Sequence, residues 1–312
     1  VSAALVVLTL AALQPDPLIA GKPFVLAGAG EAVTAVAVSA DGALVAGGSR
    51  DKTVRIWALP GGELLQTVAG AEGQLNALAF SADGRLLAAG DVGFQVRVME
   101  VKSGAVTVTI PNPSAVTSVA FSPDGALLAV GGLADTGAVY EVASGKRRFE
   151  VRGRTVSWSG DGARLLVANA SGVLRLVDAK SGKVTKSIST APHLPWATWS
   201  RDGAVIASWN GNEVDVRLWT PAGKQAGVLA GPPKTGFEGA RFPGVRALAL
   251  TPDGATAATA CGDGLVRVWD VKRRATRKTL PTDAGSSIAL SADGAWLAVG
   301  DGSLIKLWRP AE

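Results

Sequence analysis

One histidine and one cysteine, His193 and Cys261, stand in 312 residues. That excludes a multi-histidine or cysteine-rich metal centre and an internal disulfide framework. The sequence also lacks a Gly-x-Ser-x-Gly elbow and a phosphate-cradling glycine loop, the signatures of common hydrolases and nucleotide binders. Carboxylates offer the other route to metal chemistry. Glu31, Asp91, Asp135, Glu213 and Asp301 are scattered one per loop, and hard oxygens of this kind could build a Ca2+ site only if they converged. A solitary histidine is more often a packed or surface residue than a catalytic base, so no catalytic residue and no cofactor are expected.

Binding chemistry is better represented. His193 and Trp196 fall in the segment Ala191-Pro192-His193-Leu194-Pro195-Trp196, and Trp209 in Ser208-Trp209-Asn210-Gly211-Asn212. Phe237, Arg241 and Phe242 fall in a long segment over residues 231–244. Aromatic and arginine side chains are the types that anchor interfaces. If these segments share a face, the six residues form one patch. The competing account of the two phenylalanines, equally weighted, is that they fold back over their own sheet.

The elements that would position such loops are set by a repeated turn. Ser39-Ala40-Asp41-Gly42 recurs as Ser/Thr-x-Asp-Gly around Asp83, Asp124, Asp161, Asp202, Asp253 and Asp293, with steps of 42, 41, 37, 41, 51 and 40 residues. Asp tolerates left-handed backbone and bonds its own chain, and Gly accepts positive φ, so Asp-Gly between alternating apolar runs specifies a hairpin. A period near 40 marks an array of supersecondary units. Each unit continues into a third strand of alternating character, as in Thr53-Val54-Arg55-Ile56-Trp57, then a Pro/Gly turn and a fourth strand over 63–68. The third unit is weakest, with Ala138-Val139-Tyr140. The alternating Arg or Lys of the third strands is expected along the polar face, without a binding role. The 51-residue step places an insertion of about ten residues in the 231–244 segment, and a loop of that length in a compact array is usually functional or mobile.

Hydrophobic residues make up 47% and charged residues 18%, enough apolar material for a core and no basis for disorder. Net charge is +5 and the pI about 9.5, a modest excess over this length, so nucleic-acid binding is not expected. The clusters Lys146-Arg147-Arg148 and Lys272-Arg273-Arg274, the latter followed by Arg277-Lys278, read as solvated turn charges. Residues 1–13 form a short apolar run before Gln14-Pro15-Asp16-Pro17, too short for a membrane span. The run matches the apolar core of a secretory signal peptide without its basic start. Residues 1–16 are therefore read as a signal-peptide remnant or leader, which would place the mature protein outside the cytoplasm of a bacterium. The alternative is a buried segment of a cytoplasmic protein.

These features together resemble the WD40 repeat. The residues that carry the likeness are the seven turn aspartates, Trp57, Trp219, Trp269 and Trp308, the Trp269-Asp270 pair, and Asp51 and Asp263, each six residues before its tryptophan. The resemblance implies an all-β fold, a seven-bladed β-propeller of four-stranded antiparallel blades over residues 17–312. The last unit ends just after Trp308 without a fourth strand, and residues 22–27 are expected to close that blade. The family's Gly-His dipeptide is absent, Gly28-Ala29 and Gly70-Ala71 standing in its place. Its network of His, Ser, Asp and Trp therefore cannot be complete. By resemblance the chain is a monomeric, non-catalytic scaffold binding a protein or peptide through the inter-blade loop face. The alternative is a propeller hydrolase, lactonase-like, with a metal at the channel mouth.

Overall fold

Each apolar run flanking a Ser/Thr-x-Asp-Gly turn is a strand, and the strands group into seven four-stranded antiparallel sheets. The computed structural model describes residues 23–190, 196–211, 213–231, 244–283 and 285–309. Residues 1–16 lie outside that set, as do His193, Phe237, Arg241 and Phe242. Blade 1 comprises Val33–Val38, Leu44–Ser49, Val54–Ala58 and Leu64–Val68 in spatial order. Blades 2 to 6 repeat this meander. Blade 7 takes Ser287–Leu290, Leu297–Asp301 and Leu304–Trp308 from the end of the chain and Phe24–Leu26 from its start. The fold is the expected seven-bladed propeller, and the closing strand pairs Phe24 with Leu307, Val25 with Lys306 and Leu26 with Ile305. Among the described residues no helix is long and apolar enough to cross a membrane.

The core is divided into seven wedges, one between each pair of neighbouring blades. A single blade cannot cover both of its faces, so each buries them against its neighbours. The residue near the end of each third strand fills a wedge against the preceding blade. Trp57, Trp219, Trp269 and Trp308 do so, with Met99, Tyr140 and Val177 in the other blades. A buried aromatic there contributes a few kcal/mol.

In blades 1 to 6 the turn between third and outer strands packs the blade against the one before it. Gly62 of blade 1 has φ +73, and a Cβ there would lie 2.5 Å from Phe24 and 3.0 Å from Leu26. Gly104, Gly145, Gly182 and Gly223 approach Val68, Val108, Phe149 and Ile188 of the preceding outer strands in the same way. Phe24–Leu26, though only three residues long, thus takes the place of an outer strand against the following blade. Blade 6 inverts the arrangement: Arg274 holds the turn at φ +56, and Gly227 of blade 5 makes room for it.

In all seven turns the Ser or Thr hydroxyl donates to the Asp carboxylate at 2.5–2.6 Å. A backbone N–H two residues beyond the Asp adds a second bond at 2.9–3.1 Å. These donors, hydroxyl first, hold the carboxyls of Asp41, Asp83, Asp124, Asp161, Asp253 and Asp293 below their ordinary 3.8. A carboxyl whose folded pKa is depressed stabilises the fold above its unfolded pKa and loses that contribution as pH falls through the folded value. Melting temperature is therefore expected to be flat above about pH 5 and to fall as pH drops from about 4 towards 2. Calorimetry across that range checks it.

Candidate functional site

The first strands of the blades line a central channel. Its two ends are chemically different because the strands enter from the inter-blade loops and leave into the Ser/Thr-x-Asp-Gly turns. At the turn end, a cavity of about 320 Å3 is walled by Ala40, Ala82, Pro123 and Gly160 and by the rings of Phe80, Phe121, Trp158 and Trp199, with Arg201 also in its lining. At the loop end, the mouth opens to about 550 Å3.

Four first strands carry a β-bulge at this mouth, between Val33 and Ala35, Leu75 and Ala77, Val116 and Ser118, and Val245 and Ala247. The extra residues are Thr34, Asn76, Thr117 and Arg246, all on the channel wall. A bulge re-aims a side chain that strict alternation would bury in the sheet. Three of the four then bond to the next blade. Thr34 Oγ1 donates to the Leu75 carbonyl, Asn76 Nδ2 to that of Val116 at 3.3 Å, and Thr117 Oγ1 to that of Arg154 at 2.6 Å. Ser286 Oγ closes the circle on the Val33 carbonyl at 2.8 Å.

Arg246 departs from this pattern. It is exposed, and among the described residues no carboxylate pairs with it. Beside it in the wall stand Trp196 and Trp209 of blade 5, directly opposite each other in the strand register. Both are half-buried, and the Trp209 indole N–H is buried without an acceptor among the described residues. The mouth thus offers two indoles and one guanidinium above a floor of Ala and Val. Of the six patch residues, Trp196 and Trp209 share this cavity, and the other four lie outside the described residues. Arg246 escaped the sequence reading. The available signal was its column: five residues before each turn Ser/Thr, the chain reads Thr34, Asn76, Thr117, Arg154, Pro195, Arg246 and Ser286.

The loop carboxylates are engaged elsewhere. Asp91 accepts the N–H groups of Gln95 at 3.0 Å and Glu72 at 3.2 Å, and Asp301 accepts that of Asp283 at 2.9 Å and pairs with Lys306 at 2.5 Å. Asp135 accepts the Ala170 N–H at 3.1 Å, and Glu213 pairs with Arg217 at 3.2 Å. Glu31 is exposed. Among the described residues no three His, Cys, Asp or Glu side chains gather as a metal site. Cys261 is buried, which pushes its thiol pKa up and keeps it unreactive.

Asp51 shows how the blades manage without the dipeptide histidine. Its carboxylate accepts the Gly30 N–H at 2.8 Å, so a backbone amide of the inter-blade loop supplies the donor. Burial alone would raise its pKa, but the Thr53 hydroxyl, Arg55 and the Gly30 and Thr53 amides bring it to about 2. Trp219 Nε1 donates to Ser208 Oγ at 2.9 Å and Trp269 Nε1 to Thr259 Oγ1 at 3.0 Å, the Trp–Ser/Thr half of the network. The third-strand bases are not spread along an open polar face, contrary to expectation. Arg97 and Arg267 are buried, Arg55 pairs with Asp51 at 2.8 Å, and Arg267 pairs with Asp263 at 2.5 Å. The alternation that puts them on the tryptophan side of each strand draws their stems into the wedge.

The basic clusters are partly neutralised where they stand. Arg273 and Arg277 pair with Asp270, whose carboxyl is held to about 2 by the Arg273 N–H and then the Arg277 guanidinium. Arg147 pairs with Glu150 at 2.8 Å.

Comparison with known proteins agrees with this architecture. A family model described as WD domain, G-beta repeat matches residues 22–58, 62–98, 104–138 and 231–270. A second, for the anaphase-promoting complex subunit 4 WD40 domain, matches residues 134–202. A WD repeat-containing protein WDS homolog from Arabidopsis thaliana is 25% identical over 148 residues, 46% of this chain and 27% of that protein. The chain thus spans only about a quarter of that relative.

Proposed function

The chain belongs to the WD40-repeat family, and from that membership we propose that it is a non-catalytic scaffold gripping a protein segment at the loop-side mouth of its channel. Repeats and propeller fold support a protein-interaction role in general. The finer reading rests on one observation: in a mouth whose other bulge side chains bond from blade to blade, Arg246 stands beside two indoles with no carboxylate partner among the described residues. Such a constellation suits an extended segment with an acidic residue. A carboxylate would meet Arg246 in a charge-assisted bond, and apolar side chains would cover the rings of Trp196 and Trp209. His193, Phe237, Arg241 and Phe242 belong to the same proposal through the loops entering blades 5 and 6.

Affinity capture from an extract of the source cells tests it, using wild type, the Trp209→Ala/Arg246→Glu variant and Arg201→Ala at the opposite mouth. Truncating a central aromatic anchor and reversing a charge should each cost about 2 kcal/mol or more. Recovery of the specific partner is expected to fall at least about tenfold for the double variant and to hold for Arg201→Ala. Equal recovery by all three would overturn the assignment.

A further inference from the structure

At one register position of the third strand, six of the seven blades carry a base: Arg55, Arg97, Arg175, Arg217, Arg267 and Lys306. Blade 3 carries Ala138 there, opposite Val130. The outer-strand residue beside this position is Thr67, Thr109, Ser187, Val228, Thr279 or Val25 in the other blades, and in blade 3 it is Glu150. Blade 3 has therefore lost its cation and gained a carboxylate at the same place. Where the side chain would run lies a cavity of about 510 Å3, walled by Asn112, Ala138, Tyr140 and Glu150 among others.

Four of the six bases, Arg55, Arg217, Arg267 and Lys306, pair with a carboxylate of their own blade, and the other two reach the blade before. Arg97 donates to the Ala69 carbonyl at 2.9 Å and Arg175 to that of Arg152 at 3.2 Å, each just past the outer strand of the preceding blade. Beside blade 3, the residue just past the preceding outer strand is Asn112. It is 6% exposed. Its N–H donates to the Phe94 carbonyl at 2.8 Å and its Nδ2 to that of Ser114 at 2.7 Å, which fixes the amide's orientation. Asn112 lines the cavity, and its Oδ1 is buried behind that surface with no donor among the described residues. A buried acceptor left unmatched is costly, and a donor entering the cavity relieves that cost.

We propose that this blade-3 cavity is a second binding site, which accepts the arginine side chain of a peptide in place of the arginine the blade lacks. The guanidinium's planar fork of donors would pair with the Glu150 carboxylate and, with a small shift of the wall that uncovers it, with Asn112 Oδ1, the Tyr140 ring serving as an apolar and cation-attracting wall. Arg147 competes for Glu150, but that pair is more than half exposed on both sides, 56% and 64%, and exposed pairs exchange at little cost. Arg152 and Arg175 also line the cavity. Arg175 is held on the Arg152 carbonyl at 3.2 Å, and an anion drawn to either base would meet the Glu150 carboxylate, and Asp135 beyond it in its pair with Arg154 at 3.6 Å, which disfavours an acidic ligand.

The test is calorimetric titration of wild type with N-acetylated, C-amidated Ala-Arg-Ala. The controls are the same peptide with citrulline, which keeps the shape without the charge, and with aspartate. Saturable binding of the arginine peptide is expected, with the citrulline peptide at least tenfold weaker and the aspartate peptide weaker still. The variant Ala138→Arg restores the missing side chain from within, so it should abolish binding while melting no lower than wild type. Ala138→Met fills the cavity without charge and should also block the peptide, which covers the case of an unfolded Ala138→Arg. Trp209→Ala/Arg246→Glu should bind the arginine peptide as wild type does, which separates this site from the channel mouth. Absence of saturable binding, equal affinity for citrulline, tighter binding of aspartate, or undiminished binding by either folded Ala138 variant would each overturn the proposal.

Discussion

A chain from which residues 17–28 are deleted should melt far below the intact protein, and Leu26→Ala should reproduce a good part of the loss. Phe24–Leu26 is the outer strand of blade 7, and it ties the start of the sequence to its end through three register pairs. Leu26 is 4% exposed in a wedge with Trp57, Trp296, Ile305 and Leu307. Phe24 packs against the turn at Gly62, as the other outer strands pack against theirs. Truncating a buried leucine costs about 2–5 kcal/mol. Losing the whole strand also uncovers the wedge and the backbone edge of Leu304–Trp308, a cost comparable with the about 5–15 kcal/mol that holds a typical domain together. Urea unfolding of the three proteins measures both. A deletion variant that unfolds at the wild-type midpoint would show that the closure carries no stability.

Asp263→Ala should be nearly as damaging, through a single carboxylate. Asp263 and Arg267 pair at 2.5 Å with side chains only 2% and 8% exposed, and Asp263 also accepts the Leu265 N–H at 3.1 Å. Removing the acid leaves a guanidinium buried without its counter-charge, a change that costs about 3–5 kcal/mol. Asp263→Ala combined with Arg267→Met removes both charges and should recover most of that loss. Arg85→Ala breaks a pair whose side chains are 83% and 55% exposed and should cost no more than about 1 kcal/mol. Equal midpoints for the single and double variants in blade 6 would contradict this reading of the pair.

Much of the fold was legible because its determinants are local and repeated. Asp-Gly turns, alternating strands and third-strand tryptophans announce themselves in any one unit, and the unfinished last unit pointed to Phe24–Leu26. The site was harder to read because it depends on register. Arg246 looks like an ordinary polar residue of an alternating strand, and only the bulge after Val245 turns it into the channel. Trp196 and Trp209 are thirteen residues apart in sequence but face each other across one hairpin. The third-strand bases misled in the opposite direction. Alternation marked them as polar-face residues, whereas their long stems pass into the wedges and their charges are absorbed by loop carboxylates such as Asp51 and Asp263. Backbone amides in the histidine's place, as at Gly30, leave no mark in residue type at all.

The central claim, that the loop-side mouth of the channel is the binding surface, is tested most directly by amide hydrogen exchange. Exchange of the free chain would be compared with that of its complex with the captured partner. Added protection is expected in the strands bearing Trp196, Trp209 and Arg246 and in the loops leading into them, with none at the Ser/Thr-x-Asp-Gly turns. Protection confined to those turns, or to the outer strands, would contradict it.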